Sequence, residues 1–173
     1  ARVDTVDREK LKLMKEAGCV GLSFGVESGS QKILDFYQKG TTIGQAIKAF
    51  NLCRQLKLNT HAYIMLGAPI ETRDDMEMTY QLIRKIKPNL WAVFFTTPFP
   101  GNYLHDYAKE RGIIRVRDYV EYDCAQNSKN SNLPMELDYL NREDLEEYRD
   151  KINHYLIKRT ILARFWGVIT CPS

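Results

Sequence analysis

The sequence lacks an apolar run approaching the roughly 18 residues that a membrane-spanning helix needs, and its start, Ala1-Arg-Val-Asp-Thr, has none of the charged-then-apolar pattern of a signal peptide. These two absences set the expectation of a cytoplasmic protein without a membrane partner. Charge of one sign is also scarce. The formal net charge is only +3 over 173 residues, and Lys and Arg are scattered rather than gathered into a stripe, which excludes nucleic acid as an expected partner. There are four cysteines, Cys19, Cys53, Cys124 and Cys171. No two are close enough to form a metal knuckle or a cluster loop locally, so they read as reduced thiols, with Cys19 and Cys53 in the core, unless all four converge in space. A phosphate loop, an H-E-x-x-H pair and a serine–histidine–acid set are missing too.

What is present is the composition of a folded domain, 44% hydrophobic and 27% charged. The chain is organised around Cys19 to Ser30. Leu22, Phe24 and Val26 alternate with Ser23, Gly25 and Glu27, and the run then breaks into Ser28-Gly29-Ser30 before a helical pattern, which predicts a strand running into a helix. Glycines at 21, 25 and 29 within and beside a strand suggest close approach of another backbone or of a ligand. A helix from Asp4 to Ala17, stopped by Gly18, precedes the strand. A short helix from Gln31 to Gln38, ended by Gly40, and a longer one opened by the capping box Thr42-Ile-Gly-Gln45 and running to Lys57 follow it.

The pattern then repeats. His61 to Leu66 reads as a second strand ending in Gly67-Ala-Pro-Ile-Glu71-Thr72, and Thr72 can cap a helix whose first turn carries Asp74 and Asp75. Pro88 closes that helix. Leu90 to Thr97 is a third strand so rich in Trp, Val and Phe that both faces are expected to be covered, and it ends in Pro98-Phe-Pro100-Gly101. A helix from Tyr103 to Arg111 ends at Gly112; Tyr119 to Asn132 reads as a polar surface loop; and Asn141 with Asp144 caps a long final helix from Arg142 to Phe165, which flanks the sheet. The fold class is α/β: three parallel strand–helix units with right-handed crossovers, plus a long C-terminal helix. The expected organisation is one domain, with residues 1–112 forming the strand–helix units and 113–173 a polar loop and helical flank.

Three strands in parallel put their three turn motifs on one edge, and the carboxyl edge is where such sheets bind ligands. Glu27 stands there as a carboxylate able to accept from hydroxyl or amino groups; capping the Gln31 helix is an equally open role. Glu71 reads mainly as part of a helix N-terminus. His61 begins its strand and so lies on the wrong edge, and His105 and His154 have no partner at metal-binding spacing. No lysine ends a strand, which weighs against an aldolase-like Schiff base.

Taken together, Gly25-Val-Glu-Ser-Gly-Ser-Gln-Lys-Ile-Leu34, Lys39-Gly-Thr-Thr42, Met65-Leu-Gly-Ala-Pro-Ile-Glu-Thr72 and Thr97-Pro-Phe-Pro-Gly101 resemble the second half of radical S-adenosylmethionine enzymes. The branch they resemble includes cobalamin-binding members and the anaerobic magnesium-protoporphyrin IX monomethyl ester cyclases. The resemblance covers residues 8–112 and implies a partial TIM-like barrel in which these strands are the last three of six. It places Glu27 and Ser28 beside the cofactor ribose, the backbone at Gly67, Ala68 and Pro69 beside adenine, and Thr97 and Pro98 along the same cavity. The implied cofactors are S-adenosylmethionine and a 4Fe-4S cluster, with cobalamin in the cobalamin-binding branch. The implied chemistry is radical hydrogen abstraction from a small organic substrate, a tetrapyrrole among the candidates.

The family's cluster loop, C-x3-C-x2-C, is absent from the sequence, as is the segment that holds the methionine amine, and Tyr63 stands where several relatives carry an acidic ribose contact. The expectation is therefore the C-terminal half of such an enzyme, inactive alone, whose partner is the N-terminal cluster-bearing half of the same protein. The alternative is a cluster-less, barrel-derived binding domain. Half a parallel barrel leaves strand edges unpaired, so a homodimer through those edges, or cover by the C-terminal helix or the polar loop, is expected as well.

Overall fold

The computed structural model describes residues 1–116 and 133–169, with side chains as far as Leu162. In chain order the elements are α1 (Arg8–Glu16), β1 (Gly21–Glu27), α2 (Gln31–Phe36), α3 (Ile43–Gln55), β2 (Asn59–Leu66), α4 (Arg73–Ile86), β3 (Leu90–Phe95), α5 (Tyr103–Glu110) and α6 (Arg142–Ile169). The three strands form one parallel sheet in the order β1-β2-β3. Ser23 faces His61 and Gly25 faces Tyr63 across the first pair, and Tyr63 faces Ala92 and Met65 faces Phe94 across the second. The polar loop expected at Tyr119–Asn132, Cys124 and Cys171 lie outside the described residues.

Helix starts follow the local chemistry. Thr42 and Gln45 form a reciprocal capping box on α3, with hydrogen bonds of 3.2 and 2.8 Å, and Asn141 and Asp144 do the same for α6 at 2.9 and 3.0 Å. The first helix begins later than its apolar spacing predicted: the Asp7 carboxylate accepts from Lys10 N at 2.9 Å, so Asp7 is the cap and Arg8 the first helical residue. Helix ends differ more. Both α1 and α3 close with the same six-to-one and five-to-two bond pair, but α1 uses Gly18 at the left-handed position and α3 uses Lys57 at φ 55°. In α2 that position belongs to Gln38, not to the expected Gly40.

The sheet is two-faced because successive side chains alternate. Leu22, Phe24, Val26, Ala62, Ile64 and Leu66 are buried on one face under the helical layer. Phe24 meets Phe50 of α3 with ring centroids 5.2 Å apart, and full burial of such a side chain stabilises by about 1.5–3 kcal/mol. On the opposite face Gly25, His61, Met65, Ala92 and Phe94 are half-buried and Tyr63 is exposed, which makes a concave surface like the lumen side of half a barrel. This corrects the expectation for β3. Its Leu90 is 61% exposed and Trp91 to Phe94 are only half-buried, because β3 is the last strand of the described sheet and its inner face looks into the concavity. Its outer face is flanked by α6, where Asn153 accepts from Trp91 Nε1 at 2.8 Å and Arg149 lies 4.9 Å over the Phe95 ring. The same helix is tied to α4 by Arg73, which pairs with Asp144 and Glu147.

Candidate functional site

The carboxyl ends of the strands open into a cleft of about 440 Å³, lined by the polar groups of Glu27, Tyr37, Lys39 and Thr97 and walled by Phe94, Phe99 and Tyr103. Few polar groups set in an apolar wall is the usual make-up of a small-molecule site. Glu27 is built into it under constraint. The β1–β2 register shifts between Gly25 and Glu27, and Glu27 sits at φ 61°, a left-handed conformation uncommon for a residue with a Cβ and worth a functional explanation where it occurs. Its Oε1 accepts from Lys39 Nζ at 2.6 Å, and both side chains are mostly buried. A Cβ on Gly25 would lie 2.4 Å from that same oxygen and 3.0 Å from Lys39 Nζ. Glycine at 25 thus leaves the space the ion pair occupies.

The turn after Glu27 is anchored from behind. Ser28 Oγ and Thr79 Oγ1 are 3.1 Å apart, Gly29 N donates to Thr79 Oγ1 at 2.8 Å, and Ser30 Oγ donates to Asp75 Oδ1 at 2.7 Å. Gly29 permits this, since a Cβ there would fall 2.3 Å from Met78 O. Burial works against the charge on Asp75, yet hydrogen bonds from Lys32, Ser30 and Thr72 hold its carboxyl below the ordinary range. Ser28 is fully buried, with its hydroxyl spent on α4 rather than offered to the cleft.

Gly67, Ala68 and Pro69 also stand back from the cleft lining. The amides of Gly67 and Ala68 both donate to Glu71 Oε2, at 2.5 and 3.1 Å, and Pro69 O accepts from Asp138 N at 2.9 Å. A Cβ at Gly67 would come 2.8 Å from Leu145 Cδ1, so α6 packs directly on this turn. Glu71 is a turn clamp rather than a helix cap: it is completely buried, its Oε1 has no partner among the described residues, and burial pushes its pKa up to about 7 against the two amide bonds, with Asp75 raising it further and Lys32 opposing. Tyr37, whose hydroxyl lies 2.6 Å from Thr96 Oγ1, is pushed well above the usual phenol range by burial and by the charge of Glu71. Thr97 borders the cleft, its hydroxyl donating to Phe95 O at 3.1 Å. Pro98 is buried beside it without lining the space.

Of the residues expected at the site, the structure brings Glu27 and Thr97 together and adds two that sequence reasoning gave no role, Lys39 and Tyr37. Lys39 opened one of the quoted motifs, but its meeting with a carboxylate 12 residues earlier depends on how α2 folds back. His61 lies two residues into β2, its ring tilted against Tyr63 with centroids 4.4 Å apart, away from the cleft. A larger hollow of about 990 Å³ lies between Arg111 and Arg142, but Arg111 and Arg115 are already paired there with Asp138 and Glu136.

Known proteins place the chain in a family. Residues 2–83 match the family model described as the Radical SAM superfamily. The chain belongs to the radical SAM superfamily. It is 33% identical over 122 residues to an uncharacterised methyltransferase of Pyrococcus horikoshii, covering 70% of this chain and 27% of that protein. It is 32% identical over 119 residues to the anaerobic magnesium-protoporphyrin IX monomethyl ester cyclase of Cereibacter sphaeroides, covering 68% of this chain and 19% of that protein. The chain thus spans about a quarter or less of these relatives. Among solved structures, the radical S-adenosylmethionine methyltransferase TsrM of Kitasatospora setae, with cobalamin and a [4Fe-4S] cluster bound, superposes with a TM-score of 0.59 at 19% identity, covering 64% of this chain and 21% of that one. That likeness supports the partial-barrel fold.

The superfamily implies S-adenosylmethionine and a 4Fe-4S cluster, and this radical SAM chain fits the two differently. The cleft suits the first: the Glu27–Lys39 pair, for which Gly25 leaves room, offers both an acceptor for ribose hydroxyls and a cation for an amino-acid carboxylate beside an apolar wall. For the cluster, no group of three or more His, Cys, Asp or Glu among the described residues is placed to hold a metal. Cys53 is fully buried with its thiol pushed up to about 11 by burial, which disfavours the thiolate a cluster takes, and half-buried Cys19 donates to Gly21 O at 3.3 Å. Among the described residues no helix is long and apolar enough to cross a membrane.

Proposed function

We propose that the cleft is the nucleoside side of an S-adenosylmethionine site, contributed by this chain to a larger radical SAM enzyme whose cluster-bearing half supplies the iron–sulfur ligands. Glu27 accepts from the ribose hydroxyls, Lys39 meets the methionine carboxylate, and Thr97 with the aromatic wall closes the remaining side. Bound there, the cofactor would supply a radical that removes hydrogen from an organic substrate. The chain's own part is to position the nucleoside and exclude water. The observation that carries this reading is Glu27, held left-handed with its carboxylate locked to Lys39 at the strand end.

A tetrapyrrole substrate and a role for cobalamin rest on the relatives and on the TsrM structure, not on residues of this cleft. The opposing reading, a barrel-derived binding domain without catalysis, draws on the missing cluster ligands among the described residues. In the full-length enzyme, Glu27→Ala should weaken S-adenosylmethionine binding about tenfold, equivalent to ~1.4 kcal/mol, with the circular dichroism spectrum unchanged. Unaltered affinity by calorimetry would return Glu27 to a purely structural ion pair.

A further inference from the structure

The amino edge of the sheet carries a second concavity, unrelated to the cleft. It holds about 380 Å³ and is lined by Arg54, Lys57, Lys87 and Arg159, together with Asn59 and Asn89, and among the described residues by no carboxylate. Four cations converge there, from the ends of α3 and α4 and from the middle of α6. We propose that this pocket is a binding site for a small phosphate-bearing anion.

The two arginines have a structural task. Arg54 Nη2 donates to Ile86 O at 2.5 Å, and Arg159 donates to the carbonyls of Lys87 and Pro88, so they neutralise the carbonyl end of α4. That task leaves charge over. Arg159 Nε is buried without a partner among the described residues, and buried N–H groups are rarely left so. Burial disfavours the charge on Arg159, and Arg54 adds to that penalty; an anion seated between them would relieve both costs.

The lysines make the stronger case. Lys57 and Lys87 occupy the left-handed positions that end α3 and α4, at φ 55° and 50°. Glycine is favoured at such positions because a Cβ is penalised, and α1 and α5 of this chain do use Gly18 and Gly112 there. In α2 Gln38 takes that position, so glycine is not obligatory there, but α3 and α4 both carry lysine and so bring two ammonium groups to the rim of one pocket. Neither ammonium has a carboxylate partner among the described residues. Asn89 accepts from Thr60 through its Oδ1, which leaves its amide to donate. Several N–H donors with excess positive charge around a space of this size suit a phosphate group.

The test is thermal unfolding of the full chain with inorganic phosphate, against chloride at matched ionic strength. At about 10 mM phosphate the Tm should rise by about 3 °C, the size expected of a site filled to several times its Kd in a chain this long. The double variant Lys57→Gly/Lys87→Gly removes both ammonium groups while relaxing the backbone, so it should stay folded and lose that rise. Ribose 5-phosphate should act at least as well as inorganic phosphate on the unmodified chain. No rise in the unmodified chain, or an equal rise in the double variant, overturns the assignment. A larger response to a thymidine oligonucleotide than to either small anion overturns the small-ligand class.

Discussion

The two edges of the sheet solve the same problem, how to end a strand or helix and turn the chain, with opposite chemistry. At the carboxyl edge the turns are held by buried carboxylates and hydroxyls: Glu71 on the Gly67–Ala68 amides, Asp75 on Ser30, Thr79 on Gly29. At the amino edge they are held by cations on carbonyls, Arg54 and Arg159 on the end of α4. The difference follows from the direction of the helices. In a right-handed parallel arrangement the helix N-termini, with their unpaired N–H groups, come to the carboxyl edge, and the C-termini, with their unpaired carbonyls, come to the amino edge. Each edge also carries non-glycine residues in left-handed conformations, Glu27 and Gln38 at one and Lys57 and Lys87 at the other. Strain has thus been accepted at both edges, and at each the strained side chains include charged groups lining a concavity.

The comparison breaks most sharply at Gly29. Replacing it by Ala should destabilise the chain by upwards of ~3 kcal/mol in urea unfolding, since the new methyl meets the α4 backbone at 2.3 Å and neither side can give way. A cost below ~1 kcal/mol would mean that the α4 contact does not hold the carboxyl-edge turn.

Next in size is the pH dependence of Glu71. Its folded pKa of about 7 lies above the ordinary 4.5, so between those values the folded state binds more protons than the unfolded state, and stability falls as pH rises. This one group should account for a loss of about 3 kcal/mol from pH 4.5 to above 7, and Glu71→Gln should flatten that slope. Asp75 acts in the reverse sense at lower pH: its depressed carboxyl stabilises above the ordinary carboxylate value and loses that contribution as pH falls through its folded value. A profile that does not change in Glu71→Gln would show that the clamp is ionised in the folded protein.

The smallest effect belongs to the amino edge and has the opposite sign. Lys57→Gly should stabilise the chain by about 0.5–1 kcal/mol in the absence of anion, because a left-handed residue loses its Cβ penalty. If denaturation shows a loss instead, Lys57 contributes to folding and its place at the rim has a structural cause.

Much of the fold could be read before any coordinates. The alternation at Leu22, Phe24 and Val26 predicted which β1 residues are buried, and the spacings at Thr42/Gln45 and Asn141/Asp144 predicted the caps that form. Where local chemistry was subtler the reading slipped, as at Asp7, whose carboxylate overrides the apolar spacing that begins nearer Asp4, and at β3, whose apolar composition suggested cover on both faces. The site was legible in part. Glu27 was placed on the ligand edge by strand direction and Thr97 by the family resemblance, and both border the cleft, whereas the Ser28 hydroxyl is turned to Thr79, 51 residues away.

Sequence alone determined the period of each element, the parallel sense of the strands and the edge on which the motifs gather, because these depend on backbone geometry and on hydrogen bonds within a few residues. Tertiary structure alone decided which polar groups are used inside the fold and which come to border a cleft. Lys39 reaches Glu27, Glu71 withdraws the Gly67 and Ala68 amides, and four cations from three helices meet at the amino edge. Those outcomes turn on side-chain direction and packing between residues distant in the chain, which no local pattern encodes.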